Sequence, residues 1–176
     1  MIRTGLIQPG CAGAGVTQEF SETSLCPCSF GAPLYRKYAC FPGDVVVHTA
    51  SGTKALSELA ESDSITLPKL DNVERASCAD IDAIERHEGR FEMWELTVGQ
   101  ETLQVVKGHL ILRADGKWIP IEMLKSGDDV RTLRGNAVVS AVKPIGFVES
   151  GTVYNVKVKN HESYAVGEMG LVVRDW

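Results

Sequence analysis

The sequence has no basic run, no long apolar stretch and no long helical pattern. Its net charge is −5 over 176 residues. That argues against the electrostatic footprint of a nucleic-acid surface, so no nucleic-acid partner is expected. No segment has the length and apolarity of a membrane span, and Met1-Ile2-Arg3-Thr4-Gly5 lacks the apolar core of a signal peptide. Cysteine is too sparse and too uneven for a disulfide scaffold. There are five (Cys11, Cys26, Cys28, Cys40 and Cys78), and four of them precede Phe41. Cys26-Pro27-Cys28 has no second pair to complete a tetrahedral site, so no metal is expected. Gly10-Cys11-Ala12-Gly13-Ala14-Gly15 has no strand before it and no Gly-Lys-Ser after it, which excludes a phosphate loop. No organic cofactor is expected either.

What is present is an ordinary globular composition, 44% apolar and 23% charged, in a chain long enough for one domain with a sizeable core. Seventeen glycines and many valines lean toward strands joined by turns. Residues 1–39 are rich in Gly, Ser, Thr, Pro and Cys and show no strand or helix period, and they read as a tail or the end of an upstream segment. The pattern changes at Ala39-Cys40-Phe41-Pro42-Gly43-Asp44. A Pro-Gly turn signal there leads into the β-branched run Val45-Val46-Val47. Cys40 thus stands where irregular chain enters an ordered domain, covering 40–176. From there its thiol can reach the carbonyl of Ala39.

From Cys40 onward the chain repeats itself. Ala50–Leu59 and Ala114–Leu124 both run from a glycine turn to an apolar residue, then Glu, then Leu. Both continue as Leu-x-x-x-Asp-x-β-branched: Leu59, Asp63, Ile65 and Leu124, Asp128, Val130. Trp94–Val98 and Tyr154–Val158 alternate in the same way, and each is followed by a polar turn and another β run. Gly108–Arg113 then matches Met169–Arg174. The expectation is an all-β domain of two related units with pseudo-two-fold symmetry. Ser57–Ser62 and Glu122–Lys125 are candidates for single helical turns. Symmetry would bring the two ends of the domain near its middle.

These residues resemble the Hint domain, the self-processing module shared by Hedgehog C-terminal domains, inteins and bacterial intein-like proteins. Cys40-Phe41-Pro42-Gly43 resembles the Hedgehog cleavage-site start. Leu103–Leu112, with His109, resembles the Thr-x-x-His block. Val153–Val158 followed by His161 resembles the late intein block, with a histidine after a Val-Tyr-Asp-type strand. Gly170-Leu171-Val172-Val173 resembles the closing strand. The sequence departs from the family in three places. Val106 stands where the block has threonine, Arg174-Asp175 replaces the closing His-Asn, and Trp176 cannot supply the nucleophile that splicing needs.

The resemblance implies an autocatalytic activity without metal or cofactor. Cys40 attacks the Ala39 carbonyl in an N-to-S acyl shift, and water, a thiol, an alcohol or an amine resolves the thioester. The substrate is the chain's own N-terminal flank, and a monomer is expected. His109 is the candidate proton donor to the departing amine. Glu85, in Ile84-Glu85-Arg86, stands where Hedgehog domains carry an aspartate base. His161 is a candidate for resolution or C-terminal cleavage, and Asp175 for C-terminal cleavage. Two other readings stay open. One is a mini-intein-like domain that also cleaves at its C-terminal end, and the other is a processing-dead β-domain that binds or links.

Overall fold

The computed structural model describes residues 39–68 and 77–174. The expectations for Cys11, Cys26, Cys28 and Asp175 fall outside the described residues. Among those described there are twelve strands and two 3-10 turns, and no α-helix. The first unit holds β1 (Phe41–Pro42), β2 (Val46–Thr49), β3 (Gly52–Ala55), β4 (Ser64–Thr66), β5 (Cys78–Val98), β6 (Glu101–Val106) and β7 (Leu110–Leu112). The second holds β8 (Trp118–Pro120), β9 (Asp129–Thr132), β10 (Gly135–Val158), β11 (Ser163–Val166) and β12 (Leu171–Arg174).

The repeat in the sequence is a repeat in the fold. Strand β3 leads to a 3-10 turn (Leu56–Glu58) and β4, and β8 leads to a 3-10 turn (Ile121–Met123) and β9. The turns start one residue earlier than the helical turns expected at Ser57 and Glu122. In each, the leading residue, Leu56 or Ile121, is wholly buried and anchors it. The residues flanking both turns, Ala55 and Leu59 in one and Pro120 and Leu124 in the other, are extended. The shared aspartate then closes the following loop. Asp63 accepts the Ala60 N–H at 2.9 Å, and Asp128 accepts the Lys125 N–H at 2.9 Å. Such short side chains stabilise turns by bonding nearby backbone.

The long strands β5 and β10 pair antiparallel, from Val139 opposite Val98 to Val158 opposite Ile81. A strand lying antiparallel against its own equivalent is what a local two-fold produces. Register shifts at four points along this pair, including Pro144/Gly146 and Val148/Gly151, mark bulges that bend the ribbon. The sheet runs β1-β10-β5-β4-β2-β11-β12-β7-β8, with β3 on β2, β6 on β5, and β9 on both β10 and β12. Both units feed one core, in which Val47, Leu56, Ile65, Ile111, Ile121 and Tyr164 are fully buried.

The two ends of the domain converge on one stretch. At the entry, the Cys40 carbonyl accepts the Val106 N–H at 3.0 Å. At the exit, Arg174 on β12 pairs with Leu110 on β7.

Because Leu56 and Ile121 anchor equivalent turns, Leu56→Ala and Ile121→Ala should destabilise alike, each by about 2–5 kcal/mol. Met123→Ala, at a site 63% exposed, should cost little. Urea unfolding of the three variants checks this, and a large difference between the first two would contradict the equivalence.

Candidate functional site

Ala39 and Cys40 are both buried, so the peptide bond between them lies inside the domain. Cys40 belongs to one buried apolar cluster with Phe91, Met93, Val106 and Val153. A chain of backbone bonds leads from it to His109. The Val106 N–H donates to the Cys40 carbonyl at 3.0 Å, and the His109 N–H donates to the Val106 carbonyl at 3.3 Å. Gly108 makes the turn between them at φ 88°, a left-handed conformation that favours glycine.

The second unit clamps this turn. The Gly108 N–H donates to the Glu122 carboxylate at 3.0 Å, and the Ile121 N–H donates to the His109 carbonyl at 2.9 Å. The His109 ring is wholly buried, with its centroid 4.4 Å from that of Phe41. Neither ring nitrogen has a hydrogen-bond partner among the described residues. Burial pushes its pKa down from the ordinary 6.5 to about 3, so the ring is neutral near pH 7. A buried polar group in this state costs stability, and such groups call for an explanation beyond packing.

Glu85 lies on β5 directly opposite Asn155 on β10. Phe41 is opposite Tyr154, and Pro42 opposite Val153. Asn155 and Glu85, as cross-strand partners, share one face of the ribbon. The Glu85 carboxylate is 2.7 Å from Lys157 Nζ and accepts from Asn155 Nδ2 at 3.4 Å, and His87 Nε2 is 3.9 Å away. The buried Tyr164 hydroxyl donates to Asn155 Oδ1 at 3.1 Å. Partial burial raises the Glu85 pKa, but the bonds from Lys157 and Asn155 outweigh it, and the net shift is downward. The carboxylate is therefore ionised and a weaker base than a free glutamate.

His161 stands on the exposed turn after β10, its backbone bridged to Val158. Cys40 and His109, by contrast, are buried. His161 precedes Glu162, which forms an ion pair with Arg174, and the Arg174 guanidinium also lies 5.8 Å from the Trp118 ring centre. Cys78 is an exposed free thiol.

Three contributors to the site were not singled out from the sequence. Asn155 and Tyr164 lie in β runs whose alternation signals packing, not hydrogen bonding. Glu122 sits in the repeat, where its first-unit counterpart Ser57 binds the Gly43 carbonyl instead. The one signal within reach was the Val-Tyr-Asp-type strand, where Asn155 occupies the acidic position.

The buried His109 sets a sign for the pH dependence of stability. Its folded pKa lies below its unfolded one, so unfolded chains bind more protons between the two. Stability is whole above the unfolded value and falls as pH drops from about 6.5 toward about 3. Between about pH 6 and pH 5 the slope from this residue should approach ~1.4 kcal/mol per pH unit. Parallel urea titrations of the parent and His109→Leu measure it. The variant should lose that slope, and equal slopes in both would show that His109 is not buried neutral.

No family model and no curated protein matches the sequence. Solved structures do match. The bacterial intein-like domain from Clostridium thermocellum superposes with a TM-score of 0.72 at 23% identity, over 78% of this chain and 99% of that one. The DnaB intein from Synechocystis sp. PCC 6803 gives 0.65 at 14% identity, over 79% and 99%. The gp41-1 intein gives 0.62 at 11% identity, over 78% and 99%. The described domain therefore has the Hint fold, the all-β fold of inteins and intein-like domains.

Proposed function

We propose that residues 40–176 form a self-processing unit whose substrate is its own flank, residues 1–39. The reading rests above all on His109. It is wholly buried, without a partner for either ring nitrogen among the described residues, and tied by backbone bonds to the cysteine at the scissile position. The intein-like fold supports self-processing in general.

Cys40 Sγ attacks the carbonyl carbon of Ala39. The C–N bond breaks, and Ala39 is left as a thioester on Cys40. No proton is consumed, because the one lost by the thiol ends on the freed amine of Cys40. A neutral imidazole can carry it, accepting on one nitrogen and donating from the other. Placement of the thiol one residue from its target supplies most of the effective concentration. A second nucleophile, Nu–H, then takes the acyl group and returns the thiol. Val106 brings no hydroxyl to the bond, where the family's threonine helps to polarise it, so cleavage is slow.

Cys40→Ala should abolish cleavage induced by dithiothreitol, and Cys78→Ala, Cys11→Ala, Cys26→Ala and Cys28→Ala should leave it intact. His109→Ala should slow it by roughly two to four orders of magnitude. Val106→Thr, nearly isosteric, should speed it. Gel and intact-mass assays follow the fragment that starts at Cys40. If Cys40→Ala cleaves at Ala39 as fast as the parent, self-processing is wrong. If the parent does not cleave with thiol or hydroxylamine, the domain is an inert module.

Splicing-type C-terminal cleavage is disfavoured. Arg174 is held by Glu162 and is always protonated, so it cannot serve as a base. Asp175 has no amide nitrogen with which to cyclise. Trp176 should therefore stay attached through days of incubation, and its rapid loss by intact mass would favour the mini-intein reading.

A further inference from the structure

Each unit carries a tight backbone turn docked on its 3-10 turn, and the two tight turns are equivalent. In the first unit the Val45 N–H donates to the Pro42 carbonyl at 3.2 Å, and the Leu56 N–H donates to the Val45 carbonyl at 2.9 Å. In the second the His109 N–H donates to the Val106 carbonyl at 3.3 Å, and the Ile121 N–H donates to the His109 carbonyl at 2.9 Å. His109 thus takes the place of Val45, a core side chain that has only to fill space. The middle peptides of the two turns face opposite ways. Gly43 aims its carbonyl at Ser57, which donates to it from its N–H at 2.9 Å and from its hydroxyl at 2.8 Å. Gly108 aims its N–H at the Glu122 carboxylate, at 3.0 Å. Such a reversal separates type I from type II turns, and the second kind needs a positive φ at its third residue. Gly108 has φ 88°, whereas Asp44, at the same place in the first turn, is not left-handed.

The structure assigns to Glu122 the role of a positioning residue: it holds the reversed peptide of this turn and thereby fixes the backbone that carries the His109 imidazole. This rests on the self-processing reading, and it names what aims the proton carrier. Glycine adopts both orientations readily, and the bond that closes the turn is long, at 3.3 Å. A Cβ built on Gly108 meets nothing within 4 Å, so the packing at this position does not choose between them. The charge-assisted bond to Glu122 does. The first unit needs no such hold, because Val45 does no chemistry. Glu122 acts through the backbone and not through its charge, since burial alone lowers the His109 pKa. An amide oxygen at position 122 should therefore serve in its place.

Two assays on the full chain separate this role from the chemistry. In the Cys40→Ala chain, which cannot process, Glu122→Ala should move the Gly108 amide proton upfield and shift the His109 ring-nitrogen resonances. Glu122→Gln should keep the ring resonances near those of the parent, and Ser57→Ala, on the equivalent turn, should leave them in place. In the reactive chain, Glu122→Ala should slow thiol-induced cleavage by about ten-fold, the size of one hydrogen bond to a charged group, and Glu122→Gln should recover most of that rate. Gly108→Ala opposes the left-handed φ without a clash, so it should slow cleavage similarly and add little to Glu122→Ala. His109 resonances that ignore Glu122→Ala, or that respond equally to Ser57→Ala, would overturn the role. So would a Glu122→Gln chain as slow as Glu122→Ala. A parent that never cleaves, with the His109 shifts as expected, would uphold the hold on the ring and reject self-processing alone.

Discussion

A neutral imidazole held out of water, without a partner among the described residues, is the constraint on which this site depends. Leaving a buried polar atom unpaired costs about 1–3 kcal/mol, and His109 has two such nitrogens. The ring does not choose this place for itself. Its backbone is fixed on both sides, by the bond to the Val106 carbonyl and by the bond from Ile121 to its own carbonyl. Glu122 secures Gly108, and Phe41 covers the ring. The surrounding structure over-determines the position, as is expected where strain is kept for function. In the proposed reaction the cost is offset when the imidazole meets the thiol proton and the departing amine.

The two-fold repeat explains why this can be built. Neither unit holds the site alone. His109 follows the first unit's β6, and the second unit's 3-10 turn clamps it. Glu85 and Asn155 come from equivalent strands, brought opposite each other by the antiparallel pairing of β5 with β10. The entry and exit of the domain both bond to 106–110, the stretch between β6 and β7. A site at the seam of a duplicated fold can diverge on one side while the other keeps the scaffold. Glu122, in the place of Ser57, is one such divergence.

Much of this was legible in the sequence. Alternation at Trp94–Val98 and Tyr154–Val158, and the Leu-x-x-x-Asp repeat, carry the all-β class and the equivalence of the units. Burial of Leu56 and Ile121 places their turns one residue earlier than the polar residues suggested. Cys40 and His109 were visible because their chemistry is conspicuous. The Glu85–Lys157–Asn155–Tyr164 network was not, because it depends on register across strands about 70 residues apart in sequence, with Asn155 bonding Glu85.

The electrostatics of Glu85 bear on what would end the proposed reaction. A base that activates water needs a pKa near the working pH. Glu85 has the opposite tuning, held ionised by Lys157 and Asn155. Its proton affinity is spent on those partners, so it is a poor activator of water or of an alcohol, whose protons are held tightly. A thiol with a pKa near 8.5 needs no such help, since part of it is already thiolate near neutral pH. On these grounds a thioester formed at Cys40 would be long-lived toward water and quick toward a thiolate. Breaking the Lys157 contact is the change that would make Glu85 more basic and narrow that preference.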